Sequence, residues 1–327
     1  MGRAVFIGNS KFLLLILMGM ALLGFLFLNV ELDKVFALLS GAPPEILLGI
    51  LALDGLILLV RIARWSYLLK PFNLNISRYH KVSSYLGSLF ISNVTPARVG
   101  EMSRAYFIKK RYGGNMSNLV PLIIVERFLD IGTLIAFSIV SLVMFSGAIV
   151  NSFFFVIGIA SVILALSVYI VFNKSFFRWF VKKFFSAFRF SKRVTKYEKQ
   201  AAESIGKFYN GVFQLKNSNF LVISMFTFIS WILEAMILFF VGVAIVPSLF
   251  TPGFFLISIG FTAVAIIGGT LSSLPGALGS LEAILFTMFA LLGFTGEVAL
   301  SIALLYRFMS YVLVMGFSSV FFVREMV

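Results

Sequence analysis

Nine charged residues lie in or beside apolar stretches of the sequence, where a charge needs a partner or a ligand. Two of them are Asp54 and Glu234, and the other seven form three groups: Arg98 with Glu101; Glu126, Arg127 and Asp130; and Glu282 with Arg307. A charge inside hydrocarbon costs on the order of 3 kcal/mol or more, so these positions are expected to have a role. Arginine presents a planar fork of N–H donors that fits phosphate or carboxylate in a bidentate manner. The chemistry that these residues could do is therefore the binding of an anion.

Two proline-containing breaks stand beside these charges and predict further anion-binding groups. Thr95-Pro96 has the form of a helix start, since Thr caps a helix and Pro fits its first position. Pro275 is expected to begin a matching half-helix, with Gly276 and Gly279 allowing close backbone approach. The free N–H groups at a helix start carry roughly half a positive charge and bind anions. We predict that the two half-helix starts meet and form one site with the arginines.

The carboxylates among these charges are predicted to hold the arginines in place when no ligand is bound. Arg127 precedes Asp130 by three residues, so the two side chains can meet on one helix face. A purely structural cluster of ion pairs is the alternative to an anion site. For Asp54 and Glu234 we favour such structural pairing, with Arg61 as the expected partner of Asp54.

The composition of the 327-residue chain indicates a membrane protein. Hydrophobic residues make up 60% and charged residues 12%, whereas soluble domains are about half apolar and a quarter charged. Cysteine is absent and His80 is the one histidine, which excludes disulfides, thiolate metal sites and a histidine-based zinc site. We expect no metal, no cofactor and no catalytic residue.

Apolar runs close to the ~20 residues that cross a bilayer predict an all-α polytopic membrane protein with six full spans. The predicted spans cover residues 12–28, 46–60, 119–145, 153–172, 218–246 and 299–323. Two further stretches, 82–108 and 254–293, are interrupted by Pro96 and Pro275. We predict that both are re-entrant hairpins, because such breaks survive at membrane depth only where protein or water covers them.

Basic residues set the predicted orientation, because they collect on the cytoplasmic side of membranes. They place Arg61, Arg64 and the segment 174–217 in the cytoplasm, together with both termini, and residues 31–45 outside. The first part of 174–217 alternates phenylalanine with basic residues, which predicts an amphipathic helix in the interface. The net charge of +14 is attributed to these loops and to anionic lipid, not to nucleic acid.

The two halves of this single transmembrane domain, 1–147 and 148–327, show weak internal similarity. Proline and glycine stand four residues apart at Pro96-Ala97-Arg98-Val99-Gly100 and at Pro275-Gly276-Ala277-Leu278-Gly279. An acidic residue follows each motif, and an arginine stands 31 or 32 residues after each proline. Each half has an odd number of predicted spans, so we predict an inverted-topology repeat. Broken helices in inverted repeats are typical of transporters that hold substrate near the membrane midplane.

The motifs around these residues resemble the flippase-like family, also called the lysylphosphatidylglycerol synthase transmembrane-region family. The resemblance rests on Arg64-Trp65, Asn93-Val94-Thr95-Pro96-Ala97-Arg98-Val99-Gly100-Glu101-x-x-Arg104, Glu126-Arg127-x-x-Asp130, and Leu274-Pro275-Gly276-Ala277-Leu278-Gly279-x-x-Glu282. The family occurs in bacteria and archaea and includes the membrane half of the multiple peptide resistance factor, which moves aminoacylated phosphatidylglycerol between leaflets. The resemblance implies lipid translocation in a prokaryotic cytoplasmic membrane. Because the chain stops at Val327 without a soluble aminoacyl-transferase domain, we expect it not to be a synthase.

These features together predict a flippase that moves an anionic, phosphate-bearing lipid head group through a central cavity. We expect an anionic phospholipid or a polyprenyl-phosphate-type lipid as substrate. The predicted binding residues are Asn93, Thr95, Pro96, Arg98, Glu101, Glu126, Arg127, Asp130, Pro275, Gly276, Gly279, Glu282 and Arg307. One of the carboxylates is a candidate for coupling transport to protons. Two alternative functions stay open: an enzyme that modifies lipid phosphates with a glutamate base, and a scaffold for a lipid-modifying partner. The candidate protein partners are a second copy of the chain, in a homo-oligomer, or a lipid-modifying enzyme.

Overall fold

The computed structural model describes residues 9–28, 30–70, 75–113, 116–144 and 220–326, with isolated positions between 158 and 179. All regular secondary structure in these ranges is helical, as predicted. The predicted span 153–172 and the basic segment 174–217 lie outside the described residues, apart from those isolated positions.

The helices fall into two series, one before residue 145 and one after residue 219. The first series is α1 (Asn9–Leu28), α2 (Leu32–Ser40), α3 (Pro44–Leu69), α4 (Arg78–Val94), α5 (Ser103–Tyr112) and α6 (Met116–Met144). The second is α7 (Phe220–Ile245), α8 (Pro252–Leu271), α9 (Ser280–Leu291), α10 (Gly296–Arg307) and α11 (Val314–Met326). Short 3₁₀ turns lie at Pro96–Met102, Pro247–Leu249 and Pro275–Ala277, and a π-helical turn, Phe308–Leu313, joins α10 to α11.

Four helical segments in the described part of the chain are long and apolar enough to cross a membrane. They are α3, α7, α8 and the continuous helix Gly296–Glu325. The bent pair formed by α1 and α2, whose axes differ by 94°, gives a fifth if it is counted as one span. Since α8 is long enough to cross by itself, the prediction that 254–293 turns back within the membrane stays a prediction, as does the number of spans.

Helix α3 runs further than the sequence predicts. Pro44 stands at its start, where a missing N–H needs no partner, and no glycine or proline follows Gly55 before the helix ends at Leu69. The expectation that Arg64 lies in a connection between helices is wrong, because Arg64 lies within α3 and is buried with 1% of its surface exposed. The cytoplasmic side predicted for this end of the helix stays a prediction. The predicted span ends before Arg61 because a hydropathy pattern treats every arginine as unfavourable within a membrane. It carries no information about partner residues on other helices that would neutralise the charge.

The long helices of the two series pack against each other in pairs. α3 lies along α7, α4 along α11, and α6 along α8. The 3₁₀ turn that begins at Pro96 thereby contacts the turn that begins at Pro275. The two proline breaks meet between the halves of the molecule, as the sequence predicts.

Two apolar clusters support this arrangement. The larger one lies mainly among α7, α8, α9 and α10, around Leu238, Phe261 and Phe289. The smaller one lies among α3, α4, α5 and α6, around Trp65 and Leu122. Within a membrane such contacts stabilise the protein through close packing rather than through removal of water. The charged residues described next lie beside these clusters.

Candidate functional site

Six charged side chains join α3, α5, α6 and the 3₁₀ turn after Pro96, and we name them the first-half network. Its members are Arg64, Arg104, Arg127, Glu101, Glu126 and Asp130. Three are cations and three are anions, so the network is neutral without a ligand. A buried ion pair is maintained only where close contacts replace the lost hydration, and the distances in this network meet that condition.

Glu126 lies at the centre of the first-half network and is fully buried. Its Oε1 accepts a hydrogen bond from Arg64 Nη2 at 2.6 Å, and its Oε2 accepts one from Arg104 Nη1 at 2.8 Å. Arg64 Nη1 also donates to Asp130 Oδ1 at 2.6 Å, and Trp231 Nε1 donates to the same oxygen at 3.0 Å. Both oxygens of Glu126 are thus occupied, and the carboxylate fixes three helices relative to one another.

Arg127 connects this network to the proline turn. Its Nη2 lies 2.7 Å from Asp130 Oδ2, the contact that their spacing predicts. Its Nε lies 2.9 Å from Glu101 Oε2, and Ser92 donates to the other oxygen of Glu101 at 3.3 Å. The side chain of Arg127 is 27% exposed, so it is the most exposed member of the network.

Arg307 in the second half has a simpler set of partners. Its Nε lies 3.1 Å from Glu282 Oε1, and its Nη2 donates to the carbonyl of Gly276. The guanidinium stacks on Tyr311, 3.6 Å from the ring centroid, which is a cation–π contact. The Tyr311 hydroxyl donates to the carbonyl of Asn93 at 2.6 Å. Arg307 and Tyr311 together therefore tie the π turn and the second proline turn to the end of α4 in the first half.

Neither proline break is a simple helix start. The chain forms a 3₁₀ turn after Pro96 and after Pro275, and the α-helices that follow, α5 and α9, begin several residues later. The residue two positions after each proline, Arg98 or Ala277, has a φ of +56°. A helical segment does begin at Pro96 with Thr95 at its N-cap position, although it is a 3₁₀ turn and the α-helix follows only at Ser103. At Pro275 the predicted half-helix start is wrong, because left-handed residues interrupt a right-handed helix and α9 begins at Ser280.

Local contacts explain the shape of the two turns. Thr95 Oγ1 accepts a hydrogen bond from the Gly100 amide at 2.8 Å, later in the chain than a regular helix cap. Gly276 has a φ of +59°, and a Cβ there would lie 2.0 Å from Tyr311 Oη and 2.8 Å from Asn93 O. Both the conformation and the space therefore require glycine at position 276.

A small cavity, named here the polar cavity, lies where the two turns meet. Its volume is about 30 Å³, which is room for one or two waters. The lining consists of Asn93, Thr95, Arg98, Ile266, Gly269, Thr270, Leu274, Gly276, Ala277, Leu281, Arg307 and Tyr311. Within the described ranges no group of three or more His, Asp or Glu residues could hold a metal ion. The arginine and amide donors of the polar cavity suit an anion instead.

The predicted site residues fall into three places. Asn93, Thr95, Arg98, Gly276 and Arg307 line the polar cavity, and Glu282 pairs with Arg307. Pro96, Pro275 and Gly279 belong to the two proline-containing breaks. Glu101, Glu126, Arg127 and Asp130 lie in the first-half network and do not line the polar cavity.

Arg98 differs from the other arginines of the site. Its guanidinium forms no hydrogen bond or ion pair with any described residue. Glu101 attracts it and Arg127 repels it, but Glu101 is already paired with Arg127. The polar cavity therefore contains a cation whose charge no single carboxylate balances.

Sequence reasoning missed the roles of Arg64 and Arg104, although both stand in the motifs that carry the family resemblance. The expected pair of Asp54 with Arg61 is also wrong. Arg61 Nη2 instead lies 2.9 Å from Glu234 Oε2, and Asp54 Oδ2 is buried without a hydrogen-bond partner among the described residues. The spacing along α3 predicted a pair within one helix, whereas the contact crosses to α7.

Comparison with known proteins identifies one matching family and several similar membrane proteins. The family described as "Lysylphosphatidylglycerol synthase TM region" matches residues 12–318. A UPF0104 membrane protein of Methanocaldococcus jannaschii is 24% identical over 319 residues, covering 90% of each chain. One of Pyrococcus horikoshii is 23% identical, covering 91% of this chain and 92% of its own. One of Methanothermobacter thermautotrophicus is 27% identical, covering 84% of this chain and 79% of its own.

The family match includes every residue of the polar cavity and of the first-half network. It confirms the family that the motifs around Pro96 and Pro275 indicate. The apolar helices agree with a protein that crosses the membrane several times. The chain is an integral membrane protein that belongs to the lysylphosphatidylglycerol synthase transmembrane-region family.

Proposed function

We propose that the protein is a lipid transporter that moves an anionic, phosphate-bearing head group between leaflets, and that Arg98 and Arg307 bind this head group. The observation that carries the proposal is the guanidinium of Arg98, which pairs with no residue in the described part of the chain and lies in a cavity shared with Arg307. An uncompensated charge at membrane depth costs several kcal/mol. A bound phosphate monoester or diester would supply the missing negative charge and accept bidentate hydrogen bonds.

The balance of charges favours the polar cavity over the first-half network as the binding site. The network is neutral by itself, and every carboxylate in it pairs with an arginine. Arg307 is likewise balanced by Glu282. A singly charged anion beside Arg98 would therefore make the whole set of charges neutral.

The present cavity is too small for a head group, so transport requires the two proline turns to separate. The Tyr311 hydroxyl bond to Asn93 and the Arg307 bond to Gly276 hold the turns together. Each hydrogen bond contributes on the order of 1 kcal/mol net, which a charged ligand can offset. Alternating opening around a fixed midplane site is the mechanism expected of inverted repeats with broken helices.

Reconstitution into lipid vesicles tests this proposal. The full chain is placed in vesicles that contain fluorescent phosphatidylglycerol, and a membrane-impermeant quencher measures exchange between leaflets. We expect Arg98→Gln to slow exchange by about tenfold or more, since a charge-assisted bidentate contact contributes about 1.5–3 kcal/mol. Arg324→Gln, whose guanidinium lies on an exposed part of α11, is the matched control and should keep the wild-type rate.

The same vesicles separate the alternatives. Exchange without chemical change of the lipid supports the transporter, whereas a new lipid species detected by mass spectrometry supports an enzyme. No exchange and no product in vesicles containing phosphatidylglycerol or a polyprenyl phosphate would contradict the proposal and favour a scaffold. Wild-type exchange by an Arg98→Gln, Arg307→Gln double variant would contradict the assignment of the site.

A further inference from the structure

A second cavity lies beside the polar cavity, and we name it the apolar groove. Its volume is about 480 Å³, much larger than that of the polar cavity. Its lining includes Leu23 and Phe27 of α1, Leu278 and Leu304, and Phe308 and Val312 of the π turn. Nearly all of this lining is hydrocarbon, so the groove suits an apolar occupant.

The apolar groove and the polar cavity share two residues. Arg307 and Tyr311 line both of them, and the Arg307 guanidinium lies over the Tyr311 ring. An unpaired cation, Arg98, therefore lies on one side of this pair, and a long hydrocarbon surface lies on the other. A ligand that occupied both spaces would be anionic at one end and apolar at the other.

The groove is also open on its side. Phe27, Phe308 and Val312 at its edge are 36%, 50% and 44% exposed. In a membrane-spanning helix such exposed side chains face lipid chains. The π turn that contributes Phe308, Tyr311 and Val312 is an uncommon element, and π turns within α-helices are frequently found at functional sites.

We propose that the apolar groove binds one hydrocarbon chain of the anionic lipid whose phosphate is held at Arg98 and Arg307. The inference rests on the proposed function and specifies how the lipid is recognised: the protein binds a chain as well as a head group. The charge of Arg98 favours an anionic lipid over a neutral one. Because Arg307 and Tyr311 line both the groove and the polar cavity, a single lipid molecule fits the two spaces better than a second protein does. Tyr311 stands between head group and chain, and its movement would open the passage between the two spaces.

Photo-crosslinking in nanodiscs tests the chain site directly. The full-length protein is placed in nanodiscs of phosphatidylcholine that contain a small fraction of phosphatidylglycerol with a diazirine near the end of one acyl chain. We expect crosslinked peptides from α1 and from the π turn, and we expect unlabelled phosphatidylglycerol to compete for them. Phosphatidylcholine carrying the same diazirine chain should label these peptides weakly.

Variants that fill the groove provide the decisive comparison. Leu304→Trp and, independently, Val312→Trp should reduce crosslinking at the groove several-fold, and Val312 is exposed enough for the change to leave folding intact. Leu48→Trp is the matched control, because Leu48 lies on α3 with 66% of its surface exposed and does not line the groove. This variant should crosslink as the wild type does.

The outcomes distinguish this inference from the proposed function. Crosslinks spread evenly over lipid-facing residues, or unchanged by both groove-filling variants, would overturn the chain site even if leaflet exchange persists. Crosslinks between two copies of the protein at the groove would also overturn it, since a second copy would then be the occupant. Competed crosslinks at the groove without leaflet exchange would support the chain site and contradict transport.

Discussion

The two halves of the molecule contain the same kind of ion pair in different surroundings. Arg127 pairs with Glu101 in the first half, and Arg307 pairs with Glu282 in the second. The first pair is embedded in a neutral network, whereas the second lies beside an unpaired arginine and two cavities. The comparison suggests two separate roles, in which the neutral network around Glu126 anchors the helices and the region where the two proline turns meet, with residues from both halves, binds the ligand.

The largest expected difference between the two regions is in stability. Glu126→Gln removes a charge that two buried arginines share, and we expect it to lower the free energy of unfolding by about 3–5 kcal/mol. Unfolding in mixed detergent, followed by tryptophan fluorescence, measures this loss, since Trp65 and Trp231 contact the network.

Glu282→Gln is the matched change in the second half. We expect a loss of about 1–2 kcal/mol, because Arg307 keeps the Gly276 carbonyl and the Tyr311 ring as partners. Equal losses in the two variants would remove the distinction between an anchoring network and a binding region.

Disturbing the contact between the two proline turns is expected to lower the stability of the protein by less than Glu126→Gln does. Gly276→Ala brings a methyl group against Tyr311 and Asn93, and we expect it to destabilise the protein by about 1–3 kcal/mol. Gly293→Ala is the control for backbone strain alone, because Gly293 also has a positive φ but has no atoms near the added carbon. Thermal unfolding of both variants measures the difference, and adding Tyr311→Phe should recover part of the loss of Gly276→Ala. Identical melting temperatures for the two glycine variants would contradict a tight contact between the proline turns.

The sequence predicts the positions of both proline breaks and the contact of Arg127 with Asp130, because these depend on short-range chemistry, and it predicts the meeting of the two breaks from the similarity of their motifs. It does not predict that Arg64 is buried. The apolar run of α3 ends at the charged residue Arg61, so the sequence does not show that the helix continues past it. The hydrogen bond from the Tyr311 hydroxyl to the Asn93 carbonyl could not be predicted either. It depends on a π turn and joins residues 218 positions apart in the chain. The parallel pairs of Arg127 and Arg307 support the predicted repeat, whose inverted orientation stays a prediction.

The smallest expected effect concerns Asp54, a buried carboxylate of α3 that does not belong to the first-half network. Since its Oδ2 is buried without a partner, Asp54→Asn should change the free energy of unfolding by less than about 1 kcal/mol. Glu234→Gln should cost more, because Arg61 and Tyr306 both contact Glu234. Detergent unfolding of the two variants provides the comparison, and a larger loss for Asp54→Asn would reveal a partner that this account lacks.

The central claim is that the unpaired guanidinium of Arg98 binds the anionic head group of a lipid. Native mass spectrometry of the purified protein, titrated with phosphatidylglycerol or phosphatidylcholine of identical chains, tests it most directly. The account predicts that the wild type prefers phosphatidylglycerol, that Arg98→Gln loses this preference, and that Arg324→Gln retains it. An Arg98→Gln variant that still prefers phosphatidylglycerol as strongly as the wild type would contradict the claim.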